Sequence, residues 1–82
     1  MTQEKIKEVM IKELNYNKNE AKDWFAKWDP ANADSESKYH LFREHQGRAL
    51  EIVNLLRLCD YINNEEYEIL LVDTIHYIMD MG

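Results

Sequence analysis

Asn15-Tyr16-Asn17-Lys18-Asn19 stands between two stretches of helical periodicity, and its reading sets the number of helices. Three Asn in five residues favour turn geometry over a helix interior, and Asn19 is a good N-cap residue. Read this way, the tract is a break. Upstream, a helix over 3–14 places Ile6, Val9, Met10 and Leu14 on one face at offsets of three and four. Thr2 can cap it, and Glu8 and Lys12 form a well-oriented i,i+4 pair. Downstream, a second helix over 20–28 gathers Ala21, Trp24, Phe25 and Trp28 in one aromatic stripe. Asp29-Pro30 stops it, because the residue before proline is pushed out of the helical region.

The segment 29–36 is small, polar and aperiodic, a loop with a helix cap at Asp34, Ser35 or the adjoining Ser37. A long third helix follows over 37–61. Its apolar arc collects Leu41, Phe42, Ala49, Ile52, Val53, Leu56 and Cys59, with His45 inside it and Gly47 on the polar side. Asn63-Asn64 ends that helix, and Glu66 stands three residues after Asn63 as in a capping box. The fourth helix, 65–80, has an apolar arc too wide for one neighbour to bury. The link at Asn63-Asn64 is short enough to fold the last two helices into an antiparallel hairpin. The expectation is one all-α domain over 1–82, four helices with a C-terminal hairpin whose spare apolar surface would suit a homodimer.

Composition agrees with that class. Of 82 residues 45% are hydrophobic and 32% charged, the balance of a globular domain. Two Gly and one Pro are too few for a turn-rich β fold, and one Cys excludes an internal disulfide. The longest apolar run, Ile69-Leu70-Leu71-Val72, is far too short to cross a bilayer, so no membrane role is expected. The start Met1-Thr2-Gln3-Glu4 lacks an apolar signal core, and with the lone Cys59 it points to a cytoplasmic protein. Residues favoured by AT-rich codons (Phe, Tyr, Met, Ile, Asn, Lys) number 32, against 11 for Gly, Ala, Arg and Pro. That bias suggests an AT-rich bacterium, or a phage or mobile element living in one.

The net charge of −6 is unevenly placed. All ten Lys and Arg lie within 1–57, where they match ten acids. Beyond them Asp60, Glu65, Glu66, Glu68, Asp73 and Asp80 have no basic residue among them. Such a surface repels phosphate backbones, so direct nucleic-acid binding is not expected, while a basic protein surface would be attracted. On the fourth helix Glu66, Ile69, Asp73, His76 and Asp80 share one face. Ordinary surfaces mix signs, and a one-sign field carries a cost in self-repulsion that suggests use. The candidate partner-binding set is Asp60, Glu65, Glu66, Asp73, His76 and Asp80. The alternative is the aromatic set Trp24, Phe25 and Trp28, since Trp dominates interface energetics.

Catalytic and metal chemistry find little support. His40 and Glu44 have the i,i+4 spacing of two ligands, but no second pair accompanies them, so no metal and no cofactor are expected. His45 on an apolar arc is expected to be a packed ring with one nitrogen bonded, and Asp60 would lie about 22 Å further along the same helix. No phosphate-cradling glycine loop or nucleophile motif is present. The expected function is therefore a non-enzymatic interaction protein that blocks a basic, nucleic-acid-handling host protein. In size, acidity and composition the chain is similar to small phage and mobile-element proteins that block host factors, anti-CRISPR proteins and nucleic-acid mimics among them. The alternative expectation is a helical adaptor that dimerises through its C-terminal hairpin.

Overall fold

The Asn15–Asn19 tract does not break the chain. In the structure, a computed structural model describing residues 2–79, one helix α1 runs from Gln3 to Lys27 straight through it. The expected pair of helices over 3–14 and 20–28 is thus a single element, and the helix count falls from four to three. A 3₁₀ turn at Ala33–Ser35 leads into α2 (Glu36–Leu58), and α3 spans Asn64–Met79. The described residues contain no strand, so the chain is all-α.

The physical reason lies in Asn17. It is the middle residue of the tract and is only 3% exposed. Its Nδ2 donates to the Glu13 carbonyl one turn back at 2.8 Å, a bond that helical geometry provides. Its Oδ1 lies 3.0 Å from His45 Nδ1 on α2. An amide oxygen can only accept, so the imidazole carries its proton on Nδ1. Three Asn in a helix cost about 2 kcal/mol relative to Ala. A continuous helix keeps buried Leu14, Asn17 and Ala21 on one face, and the two Asn17 bonds return about 0.5–1.5 kcal/mol each. Helix continuation therefore wins, and Asn19 is no cap; its Oδ1 accepts from the Tyr77 hydroxyl of α3.

The ends of α1 follow local rules. Thr2 Oγ1 accepts from Lys5 N–H at 3.3 Å. At the other end Trp28 turns extended, and Asp29 Oδ1 accepts from Ala31 N–H to start the loop. Ser35 is buried and holds the loop closed: its single hydroxyl proton is within reach of the Asp29 carbonyl at 2.6 Å and the Asn32 carbonyl at 2.9 Å, and its oxygen accepts from Asp29 N–H.

Helix α2 stops at Leu58, three residues before the expected end. Asp60 adopts φ 59°, the left-handed conformation that usually falls to glycine. Tyr61 N–H then donates to Leu56 O and Asp60 N–H to Arg57 O, the two bonds of a Schellman motif. An Asp in that conformation costs about 1–2 kcal/mol. The two carbonyls it satisfies and the Arg57 pair at 3.0 Å offset this. Cys59 consequently sits exposed in the turn, and its expected place in the apolar arc is corrected. Asn63 and Glu66 form the expected capping box reciprocally, at 2.8 and 3.0 Å.

Leu14, Ala21, Phe42, Ala49, Val53, Leu56, Ile62 and Ile78 form the core. Helices α1 and α2 are antiparallel, pairing Asn17 with His45, Phe25 with Phe42 and Trp28 with Tyr39. Ala21 and Ala49, one on each helix, are fully buried in this core. Helix α3 packs on one side of this frame, inserting Thr74 and Ile78. It is bound to α1 through Tyr77, whose ring lies under Lys18 and Lys22 Nζ at 4.9 and 4.4 Å. It is bound to α2 through Tyr67, whose hydroxyl donates to Asn54 at 2.6 Å. The molecule measures 46 × 25 × 17 Å.

Two outcomes in urea melts test this fold. Asn17→Ala should cost about 1–3 kcal/mol, because it strips a half-buried His45 of its partner, while exposed Asn15→Ala should gain about 0.5 kcal/mol of helix propensity. A destabilising Asn15→Ala would show that the tract is not helical. Thr74 Oγ1 is fully buried without a partner among the described residues. Thr74→Val should therefore raise stability by about 1 kcal/mol, and a loss would mean that the hydroxyl is satisfied.

Candidate functional site

The acidic C-terminal residues divide into two groups by what they touch. Asp60 is held by Arg57 Nη1 at 3.0 Å, and Arg57 Nε also donates to Asn64 at 2.6 Å. Glu66 is committed to the Asn63 N–H in the capping box. These two of the expected partner-binding residues build the α2–α3 turn. Glu65 is exposed in the first turn of α3, where a carboxylate also favours the helix dipole.

The second group lies on the outer face of α3. Glu65, Ile69, Val72, Asp73 and His76 are all exposed and fall within one third of the helical wheel. Ile69 is 56% exposed and Val72 49%, large side chains left uncovered in the middle of the face. Glu68 flanks them and is exposed. Neither Glu65, Glu68 nor Asp73 belongs to an ion pair among the described residues. Asp80 lies outside the described residues. The nearest lysines at the C-terminal part of α3, Lys18 and Lys22, are stacked over the Tyr77 ring. Sequence reasoning found the carboxylates and Ile69 but left Val72 within the wide apolar arc of the last helix. The width of that arc was the available signal: α1 and α2 cover only one side of α3.

The aromatic set is placed differently. Trp24, Phe25 and Trp28 are half-buried at the loop end of the frame. Phe25 meets Phe42 at 4.8 Å between ring centroids, and Trp28 meets Tyr39 at 4.8 Å. Lys27 Nζ stands 5.0 Å from the Trp24 ring centre. Such pairs close the open end of the helical frame, contributing about 0.5–1.5 kcal/mol each beyond burial.

Other expected pairings resolve locally. His40 approaches Glu36 at 3.6 Å, whereas Glu44 bridges to Arg48 at 2.7 Å, so His40 and Glu44 do not form a pair. His45 is the packed ring the sequence suggested, edge-on to Tyr16 at 6.2 Å. Among the described residues no three His, Cys, Asp or Glu side chains gather closely enough to hold a metal ion. No helix among them is long and apolar enough to cross a membrane.

The split between structural and uncommitted carboxylates is measurable. Glu66→Ala should cost about 1 kcal/mol in urea melts through loss of the cap, and Glu68→Ala should be silent. Equal effects would show that the two carboxylates do not differ in role. No family model matches the chain, and the comparisons with curated proteins and with solved structures found no match.

Proposed function

We propose that the chain is a small non-enzymatic interaction protein that binds a basic surface of another protein through the outer face of α3. One observation carries this reading: Ile69 and Val72 stand half-exposed on a face framed by Glu65, Glu68 and Asp73. Apolar side chains at a contact centre with charges at the rim are the anatomy of a specific interface. The carboxylates would steer a basic partner, and the apolar pair would hold it. Proteins that handle nucleic acid offer such basic surfaces, and carboxylates spaced along a helix can imitate phosphates. Blocking such a protein in the cytoplasm of an AT-rich bacterium, as a phage or mobile-element product would, suits the composition and the charge. Asp60 and Glu66, held in the turn, serve as scaffold for this face rather than as contacts.

A second reading is favoured by Leu58, 77% exposed at the end of α2. It extends apolar surface along a C-terminal hairpin of α2 and α3, through which a helical adaptor could dimerise. Native mass at micromolar concentration separates the two readings: a dimer that Leu58→Ser dissociates supports the adaptor.

The charge test uses Glu65→Gln, Glu68→Gln and Asp73→Asn together, leaving the capping box intact. The fold should persist, since like charges are removed from an exposed face. In salt-graded capture from a bacterial lysate, the bound partner should associate about tenfold more slowly at low salt and with a shallower salt dependence. Ile69→Ser with Val72→Ser should instead speed dissociation. Unchanged affinity and salt slope in the triple variant would end this reading.

A further inference from the structure

We propose that the groove between α1 and α2, on the side away from α3, docks a single basic amphipathic helix from another protein. This goes beyond the reading above, since it concerns the opposite face of the molecule.

The groove has a volume of about 380 Å³ and is walled by Val9 and Met10 from α1 and by Ile52 and Leu55 from α2. Val9 is 47% exposed and Leu55 41%, and Ile6 extends the apolar strip one turn toward the N-terminus. Helix α3 leaves this side uncovered, because it meets α1 through the opposite flank, at Lys18, Asn19 and Lys22. The radius of gyration is 14.1 Å, against about 12 Å for a compact chain of this length. A guest helix laid opposite α3 would give the α1–α2 frame a second apolar neighbour and a four-helix arrangement.

Charge chooses the guest. Glu13 lines the α1 bank and Glu51 the α2 bank, and neither is in an ion pair among the described residues. The one basic residue, Arg48, is held by Glu44 at 2.7 Å. Asn17 at the floor has Oδ1 bonded to His45 and Nδ2 to the Glu13 carbonyl, so no buried polar group there asks for a partner. The complement is a ridge of apolar residues with Lys or Arg on both flanks. A second copy of the chain would bring the same two unpaired acids to the contact a second time, and anionic polymers or lipids would be repelled. From Val9 to Asn17 the wall runs about 12 Å, enough for guest side chains at i, i+3 or i+4, and i+7.

The test uses the full chain, isotope-labelled, and two synthetic helical peptides of about 15 residues sharing one Leu face, flanked by Lys in one and by Glu in the other. At physiological salt the Lys peptide should shift the backbone signals of Val9, Met10, Ile52 and Leu55 and bind at least about tenfold tighter than the Glu peptide. Val9→Asp, an exposed change whose folding a melt verifies, should weaken it about tenfold or more. Glu13→Lys with Glu51→Lys should reverse the preference between the peptides. Shifts confined to Glu65–His76 would overturn the groove while leaving the α3 reading standing. Equal binding of both peptides would overturn it, and so would a homodimer that Val9→Asp dissociates.

Discussion

Asn17 joins α1 to α2 by the one side-chain hydrogen bond that crosses between these two helices among the described residues, to His45 Nδ1. Its Oδ1 accepts in that bond while its Nδ2 donates to the Glu13 carbonyl, so both polar atoms are engaged only when α1 is helical and α2 is in register at once. Sliding α2 by one residue would carry the imidazole off the buried side and strand the amide. A lone polar residue in an apolar seam acts in this way in coiled coils, choosing one register at some expense in stability. The frame that results buries Ala21 and Ala49 and packs Phe25 against Phe42. Helix α3 and both of its faces are positioned by this frame.

Much of the architecture was legible because it is local. The Asp29-Pro30 stop, the Thr2 cap and the Asn63–Glu66 box each depend on residues three or fewer apart. The continuity of α1 was legible too, through a different signal. Met10, Leu14, Asn17, Ala21, Trp24 and Trp28 keep an unbroken four-three alternation through the Asn tract, and a real break would have shifted that phase. Propensity outweighed phase because Asn17 was counted as polar, and only His45, 28 residues away, makes it a buried residue. The end of α2 was hidden for a related reason: the left-handed cap is an Asp where glycine is the usual sign.

The candidate site was half legible. Composition located the acids on the last 25 residues, and spacing placed Glu66, Ile69, Asp73, His76 and Asp80 on one face. What spacing could not supply is which carboxylates the turn consumes. Asp60 faces Arg57 only because the Schellman motif folds the chain back, and Glu66 is consumed by the cap beneath it. Nor could it show which apolar residues stay uncovered. Ile69 and Val72 depend on where α3 lies across the frame, which the Tyr77 and Tyr67 anchors decide.

Those two anchors also explain why the molecule has two unlike surfaces. Tyr77 bonds α1 at Asn19 and Tyr67 bonds α2 at Asn54, so α3 is held across the frame from both helices. A third helix fastened to one side of a two-helix layer leaves the other side open. On one side the uncovered apolar residues are ringed by α3's own acids; on the other they lie in a trough between Glu13 and Glu51. Lys18 and Lys22, which could have neutralised the α3 edge, are drawn onto the Tyr77 ring instead. The lysines thus serve the packing of α3, and Glu13, Glu51, Glu65, Glu68 and Asp73 are left without ion pairs among the described residues.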